Sequence, residues 1–202
     1  MNNAPYFVTG FPRSRTAWIA NFLTYGPSYC HHDALRLGTT AEFLSDVFEK
    51  TWAEHVAVEH VGDSDSALLA IVPQLVDQFP TARWVLIERP AEEVIRSYTA
   101  AFGVKPYPQT PVLDIHQTRA MVEALQKWID RLKNIVPAGR LLVLPFSDLD
   151  LEGRALALWE WCVPGASFSY ERYEMLNTFS VNIITDKIRV MDHATEAWAK
   201  AL

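Results

Sequence analysis

Cysteine is scarce: Cys30 and Cys162 are the whole complement of a 202-residue chain. Two thiols so far apart make neither a disulfide framework nor a metal-ligand spacing, and a reducing cytoplasm is the expected setting. Positive charge is also in deficit. Eighteen Lys and Arg against 24 Asp and Glu leave a net charge of −6. That gives no global basic field for nucleic acid, so an anionic ligand must be attracted locally. No apolar run approaches the length of a membrane span, and no membrane partner is expected. Met1–Pro5 has neither a basic region nor a long apolar stretch, so no signal peptide is expected. Repeats, low-complexity tracts and an interdomain linker are missing too. The chain reads as a single domain, 1–202.

What is present is a core. Half of the residues are apolar and 12% are aromatic, enough to bury a sizeable interior and to argue against disorder. Short apolar runs alternate with amphipathic helical ones, the pattern of an α/β fold with a mostly parallel sheet. The expected strands are Tyr6–Thr9, Ser28–His31, Val56–Glu59, Trp84–Glu88 and Leu141–Leu144. Ligands of such sheets bind at the carboxyl ends of strands, so the segment after each strand bears on function.

The stretch from Tyr6 to Leu23 is the organising one. An apolar run, Tyr6 to Val8, is broken by Gly10 and Pro12. Then Ile19, Phe22 and Leu23 recur at helical spacing. Strand, tight loop and helix follow one another. A loop entering a helix N-terminus offers free backbone N–H groups and the positive end of the helix dipole, a site suited to an anion. Arg13, Ser14, Arg15 and Thr16 add two cations and two hydroxyls. The plain alternative is a turn with two solvated arginines. A Walker A loop laid from Gly10 puts its second Gly on Arg15, its Lys on Thr16 and its Ser/Thr on Ala17. Ala17 has no oxygen for Mg²⁺, which disfavours an ordinary Mg-dependent ATPase or GTPase.

A second signal runs from Trp84 to Tyr98. A buried strand ends at Arg89, Pro90 suits a helix start, and Glu92 and Glu93 favour its first turn. Val94, Tyr98 and Ala101 share one face, with Ser97 between them. A hydroxyl there needs a partner, either a backbone carbonyl or a ligand. Elsewhere, His31-His32-Asp33 follows the second strand and is either a capped turn or a substrate contact. His60 follows the third, and an imidazole titrates near neutrality. In the segment after it, Ser64 or Asp65 is placed to cap a helix starting near Ser66, and Pro73 is placed to interrupt that helix. Val104–Pro111 carries three prolines and reads as a loop. A long helix begins at Ile115, with Met121, Val122, Leu125, Trp128, Ile129, Leu132 and Ile135 as its inner stripe. Ala155–Cys162 reads as a packed helix and Val190–Leu202 as a terminal one.

Gly10-Phe11-Pro12-Arg13-Ser14-Arg15-Thr16-Ala17-Trp18 resembles the 5′-phosphosulfate loop of sulfotransferases that use 3′-phosphoadenosine 5′-phosphosulfate (PAPS). Pro12, Arg13, Ser14, Thr16 and Trp18 match. Arg15 replaces the usual Gly, and Ala17 a second Thr. Arg89, Val94, Ser97 and Tyr98 are similar to the same family's 3′-phosphate motif, with Pro90-Ala91 displaced by one place from its Asp-Pro. Leu141–Leu149 resembles a structural segment near the end of those domains. A late basic element of the family is not found, and Lys187 and Arg189 are its candidate substitutes.

The resemblance implies a three-layer P-loop-type fold, a central, mostly parallel sheet of about five strands flanked by helices. It implies that Gly10, Pro12, Arg13, Ser14, Arg15 and Thr16 bind the 5′-phosphosulfate of PAPS, and that Arg89 and Ser97 bind its 3′-phosphate. It implies that His60 is the catalytic base and Arg13 the charge on the leaving oxygen, with no metal. His32 and Asp33 are further candidate substrate contacts. The acceptor is then the hydroxyl or amine of a small molecule or glycan, and the chain a soluble relative of membrane-anchored members. A small P-loop kinase and a non-catalytic phosphoadenosine-binding relative are the alternatives.

Overall fold

The computed structural model describes residues 4–102 and 113–178. Five strands form one parallel sheet: β1 (Tyr6–Gly10), β2 (Ser28–His32), β3 (His60–Ser64), β4 (Arg83–Glu88) and β5 (Leu141–Pro145). Their order is β2-β3-β1-β4-β5. The helices are α1 (Thr16–Leu23), α2 (Ala41–Glu54), α3 (Val72–Gln78), α4 (Ala91–Phe102), α5 (Ile115–Ile135), α6 (Glu152–Cys162) and α7 (Tyr170–Thr178).

Every residue of β1 is buried, because β1 is the central strand and both its faces are covered. Its side chains alternate between two cores. On one face Phe7 packs with Trp84, Leu86, Phe48, Leu75 and Leu132, supplied by β4, α2, α3 and α5. On the other, Tyr6 and Val8 pack with Ile87, Phe22, Trp159 and Tyr173, supplied by β4, α1, α6 and α7. Helices therefore cover both faces of the sheet, the three-layer arrangement that the alternation of elements implies.

Four expected strands sit where the apolar runs lie. The third does not. Val56 is 95% exposed, and the strand is His60–Ser64, buried throughout. Its centre is the sequence Val61-Gly62-Asp63, which has the composition of a turn. Gly62 is there for space: a Cβ on it would stand 2.1 Å from the Tyr6 ring. The glycine is thus the socket for a tyrosine on the neighbouring strand, with which it pairs in register. Asp65 caps the turn that follows, accepting from the Ala67 N–H at 2.7 Å, and Pro73 lies in the first turn of α3. Helix α5 starts on a capping box made by Asp114 and Gln117. The expected loop at Val104–Pro111, Lys187, Arg189 and the terminal helix from Val190 lie outside the described residues.

Candidate anion and nucleotide site

β1 is flanked by β3 on one side and β4 on the other, and the chain reaches these neighbours in opposite directions. The carboxyl end of β1 is therefore the switch point at which ligands of open α/β sheets bind. The Arg13–Thr16 loop leaves from that point. Gly10 closes β1 opposite Ile87, and a Cβ there would lie 2.5 Å from the Ile87 carbonyl oxygen. Any side chain would push the two strands apart.

Beyond Pro12 the backbone turns left-handed twice, at Arg13 (φ 70°) and Arg15 (φ 61°). Such alternation aims successive amides into a concave nest for an anion. Arg15 is the N-cap of α1 and provides no side-chain cap. The first helical bond runs from the Ile19 N–H to the Arg15 carbonyl at 2.9 Å. Ser14 is fully buried, and among the described residues its hydroxyl has no hydrogen-bond partner. A buried hydroxyl calls for a hydrogen-bond partner, and an anion's oxygen is one to which it could donate. Arg13 is exposed beside it. These residues fit a phosphate or sulfate group.

Arg89 faces the loop from the end of β4. Its guanidinium donates to the Arg13 carbonyl, lies 4.0 Å from the centre of the Phe146 ring and pairs with Glu93 at 3.6 Å. Burial lowers its pKa, which Glu93 opposes. A cleft of about 480 Å³ opens beside it, with Phe11, Arg89, Pro90, Gln126, Ile129 and Phe146 among its walls. Ser97 is half-buried further along α4 and is not among the cleft walls. The structure thus brings Arg89, but not Ser97, to the cleft.

On the other side of the loop stand the ends of β2 and β3. Ser64 donates to the Thr16 carbonyl at 2.9 Å. Thr16 Oγ1 lies 3.3 Å from His32 Nε2, which lies 3.3 Å from Asp33 Oδ1. Asp33, Asp63 and Asp65 gather here. Asp63 accepts from the Ala34 N–H at 3.4 Å through one oxygen, and among the described residues its other, buried oxygen has no partner. Burial, reinforced by Asp65, holds the Asp63 carboxyl well above the usual range. Burial also pushes Asp65 up to about 6 and raises Asp33, which is close enough to Asp65 to hydrogen-bond with it. Burial drives His32 down to about 4, with Asp65 pulling the other way, so the imidazole is neutral at pH 7.

His60 is not part of this group. It opens β3, opposite Ser28 at the start of β2, roughly 13 Å along the strand from Ser64 at the rise of a parallel strand. Its expected place followed from a strand set four residues too early. With β3 placed correctly, the residues that reach the site are Asp63, Ser64 and Asp65. Phe146 and Asp150 also escape a reading of the sequence, since they belong to a segment whose apolar pattern speaks only of packing. Asp150 Oδ1 meets Arg15 Nη1 at 2.5 Å.

No family model and no curated protein matches the chain. Solved structures do. A sulfotransferase from Alicyclobacillus acidocaldarius superposes with a TM-score of 0.60 at 12% identity, over 89% of this chain and 92% of that one. A sulfotransferase from Mycobacterium tuberculosis gives 0.57 at 13% identity, over 95% and 76%. A shikimate kinase from Bacteroides thetaiotaomicron gives 0.50 at 8%, over 78% and 94%. At these identities the likeness is one of fold: the chain has a P-loop-like α/β fold of the kind seen in sulfotransferases.

Proposed function

We propose that the protein is a sulfotransferase that moves the sulfuryl group of PAPS to a hydroxyl or amine of a small-molecule or glycan acceptor. The observation that carries this reading is the loop itself. A buried Ser14 hydroxyl, without a partner among the described residues, lies between two arginines in left-handed turns, at a helix N-terminus whose N-cap side chain makes no capping bond. The amides of the loop, Arg13, Ser14 and Thr16 would hold the 5′-phosphosulfate, with Gly10 and Pro12 shaping the turn and Arg15 contributing through its backbone. Arg89 would hold the 3′-phosphate with the guanidinium N–H groups that do not donate to the Arg13 carbonyl. Ser97 has a weaker claim to that phosphate, since it does not line the cleft.

PAPS supplies an activated sulfuryl group. Arg13 offers positive charge to the leaving phosphate oxygen. The base is reassigned from His60 to the Asp33–Asp65 carboxyl pair. His60 lies at the far end of β3 from the loop, and a carboxylate whose pKa is near 6 is better matched to neutral pH than the His32 imidazole near 4. As the acceptor oxygen or nitrogen bonds to sulfur, its proton passes to the carboxylate and adenosine 3′,5′-bisphosphate leaves. The scheme requires no metal.

Ser14→Ala and Arg89→Ala are each expected to weaken binding of adenosine 3′,5′-bisphosphate about tenfold, the loss of one buried or charge-assisted hydrogen bond. Equilibrium dialysis against wild type tests this, and unchanged affinity in both variants would overturn the site. A phosphotransferase is the second reading. The observation that favours it is the set of carboxyls Asp33, Asp63 and Asp65 beside Thr16, and against it stands Ala17 in the place of the metal-binding hydroxyl. A non-catalytic binder would keep the bisphosphate but be indifferent to Asp65→Asn.

A further inference from the structure

Arg15 stands where the resembled loop has glycine, and the structure shows where its side chain goes. We propose that Asp150, together with the Phe146 ring, positions the anion loop by drawing the Arg15 side chain out of the cradle. The left-handed turn at the head of α1 is thereby held by a residue other than glycine. The inference rests on the anion-site reading above and adds to it a residue 135 positions further along the chain.

A non-glycine residue pays to sit at φ 61°, ψ 27°. Something must hold it there. Arg15 Nη1 meets Asp150 Oδ1 at 2.5 Å, and its guanidinium carbon lies 5.6 Å from the centre of the Phe146 ring. Both partners belong to one tight turn, Phe146–Asp150, that follows β5. That turn is pinned to the core by Leu149, which is fully buried. The anchor is therefore rigid, although Asp150 itself is 62% exposed.

The same ring carries Arg89 at 4.0 Å, and Arg89 holds the Arg13 carbonyl. Both left-handed residues of the loop are thus gripped from outside, Arg13 by its carbonyl and Arg15 by its side chain, with Phe146 beneath both guanidinium groups. An exposed ion pair adds little to global stability. The service of this one is local. Without Asp150, the Arg15 cation would be free to turn toward a bound anion, and doing so would draw the backbone out of the left-handed region.

The test is a double-mutant cycle on the binding of adenosine 3′,5′-bisphosphate and of inorganic pyrophosphate, read by calorimetry. Asp150→Ala is expected to weaken both about fivefold, as the strained turn loses its hold. Asp150→Glu should keep most of the affinity. Arg15→Gly should bind within about twofold of wild type, since glycine holds the turn unaided, and adding Asp150→Ala to it should change nothing. A merely structural Asp150 would lose the same factor whatever stands at position 15. That result, or tighter binding by Asp150→Ala, overturns the proposal. Should Asp150→Ala melt below the assay temperature, Asp150→Asn carries the same expectation. A wild-type chain that binds neither probe contradicts the proposed function. One that binds both and is indifferent to Asp150 contradicts the positioning role alone.

Discussion

Arg13 and Arg15 occupy backbone conformations that cost an L-residue with a side chain of order 1 kcal/mol each. Chains keep such strain where geometry serves a ligand, and the cost is measurable. Arg13→Gly is expected to raise stability by about 1 kcal/mol in urea unfolding, while weakening bisphosphate binding through loss of its charge. Ser14→Ala should behave likewise: removing a buried hydroxyl with no partner among the described residues is expected to stabilise the fold by about 1 kcal/mol. A fall in stability in both variants would mean that the loop is not strained for a ligand.

Asp65 gives a pH signature. Its folded pKa, about 6, lies above its unfolded value. The folded state therefore binds more protons between those values, and this group's contribution to stability falls as pH rises from about 4 to 6. His31 and His32, both lowered to about 4 by burial, act in the opposite sense over that window. The difference between two proteins isolates the carboxyl. Asp65→Asn, which can still cap the turn at Ala67, should be about 2 kcal/mol more stable than wild type at pH 7 and no more stable at pH 4. Urea midpoints at the two pH values check it, and an advantage independent of pH would count against the raised pKa. The residues of the loop and Arg89 are legible in the sequence because each stands at the break between an apolar run and a helix. The carboxyl group is not legible, because Asp63 and Asp65 look like turn and cap residues until the strand beneath them is placed.

Among the elements, β3 separates what a sequence discloses from what it does not. β1, β4 and β5 are visible because they are written as apolar or aromatic runs, while β2, Ser-Tyr-Cys-His-His at a sheet edge, is a fainter signal. β3 reads His-Val-Gly-Asp-Ser, and nothing in its own propensities calls for a strand. Its place is decided by its neighbours: the backbone pairs with β1 and β2, and Gly62 leaves room for Tyr6. Gly62→Ala should accordingly destabilise the protein by about 2–3 kcal/mol, since its methyl meets a ring held in the core. Hydrogen exchange should find the amides of Val61, Gly62 and Asp63 among the slowest in the chain and those of Val56 and Ala57 fast. The reverse order would restore the earlier strand, and with it His60 as a residue near the site.

At the scale of the whole molecule, a chain of net charge −6 gathers three arginines at the carboxyl ends of two neighbouring strands. Arg13, Arg15 and Arg89 converge there from β1, α1 and β4, and the carboxyls of β2 and β3 stand on the opposite side of the same loop. A donor rich in negative charge and an acceptor that must lose a proton would thus meet on either side of Thr16. The fold is shared with sulfotransferases and with a kinase, so the choice between them lies in the site. The measurement that tests it most directly is a calorimetric titration of adenosine 3′,5′-bisphosphate into the wild-type protein in EDTA, beside one of Mg-ATP. Tight metal-free binding of the bisphosphate with weak or no binding of Mg-ATP is the expected result. Preference for Mg-ATP would contradict the sulfotransferase reading and make the protein a phosphotransferase.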